Sequence, residues 1–333
     1  MSADGAGNSP VAMSADGAGS SAVAMSADGV ANSPVAMGGD AGVADDAVVI
    51  DVVGLRMRYG TADVLHDVTF RARRGEVLAL LGPNGAGKTT TIEILEGFRT
   101  RSAGHVEVLG ADPARAGEEW RARVGVVLQS WRDHGKWRVR ELLAQVGAYY
   151  HGYTTPWDPD DLVDVVGLSG QANQKIHTLS GGQRRRLDVA VGIVGRPEVL
   201  FLDEPTVGFD PVARRDFHDL VRGLAAEHGT TILLTTHDLD EAERLAGRVL
   251  VLDGGRIIGD GTAEELARRV AGQNEVRWSL NGDRFSRPTD RPARLVYELY
   301  REHGDDLRDL EVHRASLEDT YLSLLRPVDG GVR

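Results

Sequence analysis

With 333 residues, 41% of them hydrophobic and 26% charged, the chain suits one large domain with an appendage and has an ordinary globular composition. It has no cysteine, which excludes disulfides, zinc–thiolate sites and cysteine nucleophiles. A formal net charge of −12 argues against nonspecific nucleic-acid binding, which needs a basic surface.

In chain order, residues 1–47 are dominated by a 12-residue repeat, MSADGAGNSPVA, that starts at Met1, Met13 and Met25 and decays from Met37. Small residues and aspartate cannot bury enough surface to offset their ordering entropy, so this tail is expected to be disordered. It lacks a basic start and a continuous apolar run, so no secretory signal is expected. No segment approaches the roughly 18–20 apolar residues that cross a bilayer. If the protein acts at a membrane, another chain does the spanning.

A folded domain is expected over 48–270. Apolar strands Val48–Val53, Val64–Phe70 and Val77–Leu81 precede a Gly-rich turn and a helix over Lys88–Glu96. A mostly helical stretch over about Val139–Val166 leads to a second Gly-rich turn and a helix ending near Val194. Buried-type strands Val199–Asp203 and Thr231–Thr235 follow. Apolar strands alternating with helices predict an α/β fold with a parallel sheet covered on both faces. Arg248–Leu252 and Arg256–Ile258 read as a hairpin, and Thr262 with Glu265 as a capping box. From 271 to 333 the pattern reads strand (Glu275–Leu280), helix (Ala293–His303), strand (Leu307–Val312) and helix (Ser316–Leu325), a small C-terminal α/β appendage.

Gly82-Pro83-Asn84-Gly85-Ala86-Gly87-Lys88-Thr89 satisfies G-x-x-x-x-G-K-[ST], with a strand before it and a helix after it. Glycines let backbone N–H groups wrap a phosphate chain, and the helix N-terminus adds favourable partial charge. Lys88 is expected on the β- and γ-phosphates, Thr89 on Mg²⁺, and Thr90 completes the loop. Only three of the 38 basic residues are lysine, and one stands here. Val199-Leu-Phe-Leu-Asp203-Glu204 is an apolar strand ending in two carboxylates, which places acids at the edge of a parallel sheet where ligands bind. Asp203 can hold Mg²⁺ through water, and Glu204 can polarise an attacking water.

Leu179-Ser180-Gly181-Gly182-Gln183 resembles the signature of ABC ATPases, and further elements of that family appear in order. Tyr59 stands where the family has an aromatic on adenine. Gln129 matches its glutamine loop, Val207-Gly-Phe-Asp210 its aspartate loop, and His237 its switch histidine. The resemblance covers about Val48–Val270. It implies a P-loop NTPase core with a parallel-sheet ATPase subdomain, an antiparallel β subdomain and a helical signature subdomain. It also implies ATP and Mg²⁺ as ligands and a second copy, or a homologous ATPase, closing head to tail so that Ser180 and Gly182 face the partner's γ-phosphate. Glu204 is then the base or water-orienting group, and His237 contacts the γ-phosphate. Gln129 senses Mg²⁺ and the water, Thr89 and Asp203 ligate the metal, and Asp210 couples the two sites. Phe209 and Val207 are mild departures from the family's usual residues.

Arg314-Ala-Ser-Leu-Glu-Asp-Thr-Tyr321-Leu-Ser-Leu resembles a short motif that ends multidrug and antibiotic-resistance exporter ATPases of the daunorubicin-resistance type. This implies hydrolysis driving export by a separate multi-spanning permease, with the chain peripheral on the cytoplasmic face of the membrane. An importer ATPase is the alternative, and a soluble ABC ATPase is disfavoured by the single ATPase half, the short spacing of Gln129 to Ser180 and the absent cysteine. The histidines show no metal-ligand spacing. Arg184-Arg185-Arg186 reads as a solvated or internally paired helix face. Trp131 and Trp137 read either as packing in the helical subdomain or as part of a groove for the permease.

Overall fold

The computed structural model describes residues 47–127, 135–270, 274–280, 282–289, 291–313 and Tyr321. The repeat tail, Gln129, Trp131 and all of the last expected helix except Tyr321 lie outside these residues. The elements are, in order, β1 (Val48–Tyr59), β2 (Ala62–Arg73), β3 (Val77–Leu81), α1 (Lys88–Leu95), β4 (Ala103–Val108), α2 (Glu118–Ala122) and β5 (Val124–Val127). Next come α3 (Val139–Tyr150), α4 (Pro159–Val165), α5 (Gly181–Ile193), β6 (Val199–Asp203), α6 (Pro211–His228), β7 (Thr231–Thr236) and α7 (Leu239–Leu245). The chain continues through β8 (Arg248–Asp253), β9 (Arg256–Gly261), α8 (Ala263–Val270), β10 (Asn274–Leu280), β11 (Asp283–Thr289), α9 (Pro292–His303) and β12 (Leu307–His313).

The central sheet runs β5-β6-β7-β3-β8-β9. Its first five strands pair in parallel and β9 returns antiparallel as a hairpin. Because both faces of the sheet are covered, β3 and β6 are nearly continuous apolar runs rather than alternating ones. One face carries α1 and an antiparallel sheet, β2-β1-β4, through a core that includes Ile50, Leu55, Leu80, Ile92 and Phe201. The other face carries α6 and the helical segment, with Leu142, Leu162, Leu187 and Phe217 in its core. The fold is therefore the α/β arrangement of a P-loop NTPase with an antiparallel β layer and a helical layer.

The expected helical stretch over 139–166 divides into α3 and α4. Pro159 takes the first position of α4, where its missing N–H costs nothing, and Asp158 caps the helix by accepting from the Asp160 N–H at 2.8 Å. Trp137 packs, partly buried, against the helical core. The capping box at α8 forms as expected, with Thr262 N–H donating to Glu265 Oε2 at 3.0 Å and Glu265 N–H to Thr262 Oγ1 at 3.1 Å.

In the C-terminal segment, α9 lays Leu295 and Leu299 on Val276 of a three-stranded sheet ordered β11-β10-β12. β11 has no counterpart in the sequence reading. Its sequence DRFSRPT lacks apolar alternation, and six of its seven residues are exposed. It is an edge strand, where a proline such as Pro288 is tolerated. Phe285 stacks on Trp278 at 5.8 Å.

Candidate nucleotide site

Three neighbouring strands, β6, β7 and β3, end at one edge of the central sheet and deliver the site. The loop from Gly82 to Gly87 leaves β3 and enters α1. Close approach dictates its glycines. A Cβ on Gly82 would lie 2.3 Å from the Leu252 carbonyl oxygen. Gly87 has φ 106°, and a Cβ there would lie 2.6 Å from Leu65 Cδ2. The β8–β9 turn braces the loop, with Gly255 N–H donating to the Ala86 carbonyl at 3.2 Å. Pro83, Asn84 and Gly85 form the open part of the loop.

Lys88 is buried, and its ammonium donates to the carbonyls of Gly82 (2.8 Å) and Pro83 (3.2 Å). Glu204 Oε1 lies 3.3 Å from the same ammonium, while Glu204 Oε2 lies 3.4 Å from His237 Nδ1. Glu204 thus stands between the loop lysine and the histidine that follows β7. Its φ is 44°, a left-handed conformation that costs a non-glycine residue on the order of 1–3 kcal/mol and clusters at functional positions. Thr89 Oγ1 donates to Asp203 Oδ2 at 3.4 Å. Thr90 is half-buried, and Thr91 caps inward by donating to the Gly87 carbonyl at 2.9 Å.

Thr235 is a residue the sequence reading missed. Its hydroxyl donates to Asp203 Oδ1 at 2.5 Å and accepts from the Glu204 N–H at 3.0 Å, so one side chain orients both acids. Only the pairing of β6 with β7, which sets Asp203 opposite Thr235, reveals it.

Arg185 has a more specific place than an internally paired helix face implies. The arginine run is paired internally at Arg186, which meets Asp216 at 2.6 Å, but Arg185 itself is buried. It donates to the carbonyls of Pro205 (2.9 Å) and Asp203 (3.3 Å), and burial pulls its guanidinium below its ordinary range. Glu96, at the end of α1, is a third. Burial, then the nearby Asp203 and Glu93 carboxylates, push its carboxyl up to about 8. An acid among Ile92, Ile94 and Leu95 was the available signal.

Ser180 caps α5. Its hydroxyl accepts from the Gln183 N–H at 3.3 Å, and Gln183 Oε1 accepts from the Ser180 N–H at 3.0 Å. Ser180 and Gly181 are exposed, while Gly182 and Gln183 are half-buried. Asp210 caps α6, accepting from the N–H groups of Val212 and Ala213, each at 2.9 Å. Phe209 meets Phe217 edge to face at 5.8 Å, which gives the aromatic at that position a packing role. Tyr59 is 39% exposed at the end of β1 and has the Arg99 guanidinium 5.0 Å from its ring centroid. The structure brings Lys88, Thr89, Asp203, Glu204 and His237 together. It leaves Ser180 and Gln183 on the helical layer, and Gln129 lies outside the described residues.

A phosphate loop between strand and helix, with paired carboxylates on a neighbouring parallel strand, defines a P-loop NTPase. The comparisons narrow this. The ABC transporter family model matches residues 65–207. The chain is 37% identical over 308 residues to the daunorubicin resistance ATP-binding protein DrrA3 of Streptomyces coeruleorubidus, across 85% of this chain and 96% of that one. It is 35% identical over 298 residues to the Nod factor export ATP-binding protein I of Cupriavidus pinatubonensis, across 83% and 90%. Among solved structures, CbiO1 from Clostridium perfringens, part of the ABC transporter complex cbiONQ, superposes with a TM-score of 0.58 at 29% identity over 67% of this chain and 91% of that one. An ATP-binding subunit of an ABC transporter superposes at 0.61 over 84% and 100%, at 24% identity, and shows the shared fold. The chain belongs to the ABC transporter ATP-binding family and is an ATPase subunit that binds ATP.

Proposed function

We propose that this subunit hydrolyses Mg²⁺-ATP as a head-to-tail pair, with a second copy or a homologous ATPase, to drive export of a drug or antibiotic through a separate multi-spanning permease. The observation that carries the hydrolytic reading is the placement of Glu204 between Lys88 and His237, 3.3 and 3.4 Å from them. Lys88 sits on loop carbonyls and on Glu204. A bound phosphate chain competes with these for the ammonium, leaving Glu204 available to orient water toward the γ-phosphorus while His237 meets the γ-phosphate. Catalysis of this kind is positioning and charge stabilisation. Thr89 and Asp203 offer a hydroxyl and a carboxylate oxygen at one point, a donor set that suits Mg²⁺ when phosphate and water complete it. When bound, the ion would offset charge on the β- and γ-phosphates. The exposed start of α5, with Ser180 and Gly181, suits the phosphate of a nucleotide held by the other copy. Asp210, capping α6, would then link the two sites, and Tyr59 would offer its ring to adenine.

The export reading is supported by relatives whose names are a drug-resistance and an export ATP-binding protein, matched over nearly their whole length. Among the described residues no helix is long and apolar enough to cross a membrane; in this reading the permease does the spanning and this chain sits on its cytoplasmic face. Affinity capture of the tagged chain from detergent extracts is expected to recover a multi-spanning protein, and Trp137→Ala to reduce that recovery while nucleotide binding survives. Recovery of ribosomes or DNA in its place would refute the reading.

A further inference from the structure

Two elements complete the hydrolytic site from outside the phosphate loop: the segment Thr206–Asp210 after β6, and the segment around His237 before α7. A buried polar cluster ties them together. Thr206 Oγ1 donates to Glu241 Oε1 at 2.7 Å, and both residues are buried. His218, on α6, is also buried, with its Nε2 3.8 Å from Glu241 Oε1 and without a hydrogen-bond partner among the described residues. Beside them, Arg214 of α6 pairs with Asp238 at 2.7 Å. Asp238 is the residue after His237 and caps α7 by accepting from the Glu241 N–H at 3.2 Å.

The chemistry of the cluster favours a structural tie over a mobile charge. Burial pushes the Glu241 carboxyl up, opposed by hydrogen bonds from Thr236 and Thr206, with Asp238 adding to the rise and Arg214 reducing it. Burial pulls the His218 imidazole down, helped by Arg222, Arg214 and Arg244. Both groups are therefore held toward their neutral forms, and of the two it is Glu241 that carries a buried hydrogen bond, to Thr206. α6 and α7 share an apolar core through Phe217, Val221, Ala242 and Leu245, and the polar cluster lies at its edge. A surface pocket of about 210 Å³ opens beside it, with Phe209, Arg214, His218 and Glu241 in its walls. Beside this pocket the directed polar contacts of Thr206, Glu241, Arg214 and Asp238 tie the two helices at their edge.

We propose that Thr206, Glu241 and the Arg214–Asp238 pair form a clamp that makes the aspartate loop and the switch histidine move as one unit, with Glu241 and Arg214 as positioning residues for hydrolysis. A shift of Asp210 on nucleotide closure is passed to His237 through α6, Glu241 and the cap of α7, without Glu241 or Arg214 touching ATP. The inference rests on the reading of Asp210 and His237 as parts of the hydrolytic site.

The test is steady-state ATPase kinetics with a parallel nucleotide-binding titration on the full chain. Glu241→Ala is expected to lower kcat by about tenfold to a hundredfold, the range a misplacement of about 1 Å produces. KM and the dissociation constant for ATP should stay within about twofold, because Lys88 and its loop are untouched. Glu241→Gln keeps an oxygen that accepts from Thr206 and should recover most of the loss. Thr206→Val should reproduce the defect and Thr206→Ser relieve it, which covers the case in which Glu241→Ala does not fold. Unchanged kcat in both Glu241→Ala and Thr206→Val would overturn the clamp. So would equal damage from Gln and Ala, or a loss confined to KM. His237→Ala, run alongside, separates the two ideas. If it keeps full turnover, the site reading itself has failed; if it is inactive while Glu241→Ala is normal, only the clamp has.

Discussion

Glu96 offers a direct test of how burial acts near the site. The residue ends α1 with only 6% of its surface exposed, and its carboxyl is pushed up to about 8 from 4.5 by burial first and by Asp203 and Glu93 after it. The folded chain therefore holds a proton there that the unfolded chain releases. Below the unfolded value both states carry it and there is no penalty. As pH rises from 4.5 toward 8, stability falls by about 1.4 kcal/mol per pH unit. Summed over that window, the loss is about 5 kcal/mol, complete above pH 8. Glutamine is close in shape and cannot ionise. Glu96→Gln should match the parent in urea unfolding at pH 5 and exceed it increasingly through pH 7 and pH 9, with the gap approaching that value. Two curves that stay parallel from pH 5 to pH 9 would show that Glu96 is ionised in the folded chain and that the argument from burial is wrong.

The other predictions concern the site and its supports. Glu204→Gln should bind ATP and pair with its partner copy yet lose turnover, measured as phosphate release beside nucleotide binding; turnover near that of the parent would remove Glu204 from its role. Gly82→Ala drives a Cβ to within 2.3 Å of the Leu252 carbonyl, so loop and hairpin must separate, and nucleotide affinity should fall by at least about tenfold in a titration. Arg185→Met removes a buried donor from the carbonyls of Pro205 and Asp203, which should cost about 2–4 kcal/mol in denaturant unfolding.

What the sequence reveals here follows the range of the interaction. The phosphate loop, the strand Val199–Asp203 and the β8–β9 hairpin are local: a glycine pattern, an apolar run and a turn. The expected bounds of β3 and β6 coincide with the observed ones. Thr235 was invisible because its role depends on β7 lying beside β6, and Arg185 because the curl of α5 against Pro205 is a tertiary fact. Glu241 is one acid among several after His237, and only its burial against Thr206 sets it apart. β11 was missed for the opposite reason: it is a strand by pairing with β10 alone, with no buried face to leave an apolar trace.

That contrast also separates what is rigid in the molecule from what is free to be regulated. Asp203 and Thr235 stand opposite each other on paired strands, so the register of β6 on β7 holds them 2.5 Å apart, while Lys88 and His237, which follow β3 and β7, both meet Glu204. Ser180 depends on α5, whose described link to the acids is Arg185, bonded to backbone carbonyls on both sides of Glu204. Carbonyls are fixed by the chain path, so a rotation of α5 pulls on the peptide units flanking Glu204, a residue already in a left-handed conformation at φ 44°. A displacement of the helical layer would therefore reach the backbone at Glu204 rather than its side chain. Under the proposed export function, a permease seated against that layer would reach Glu204 by the same route, without touching the phosphate loop.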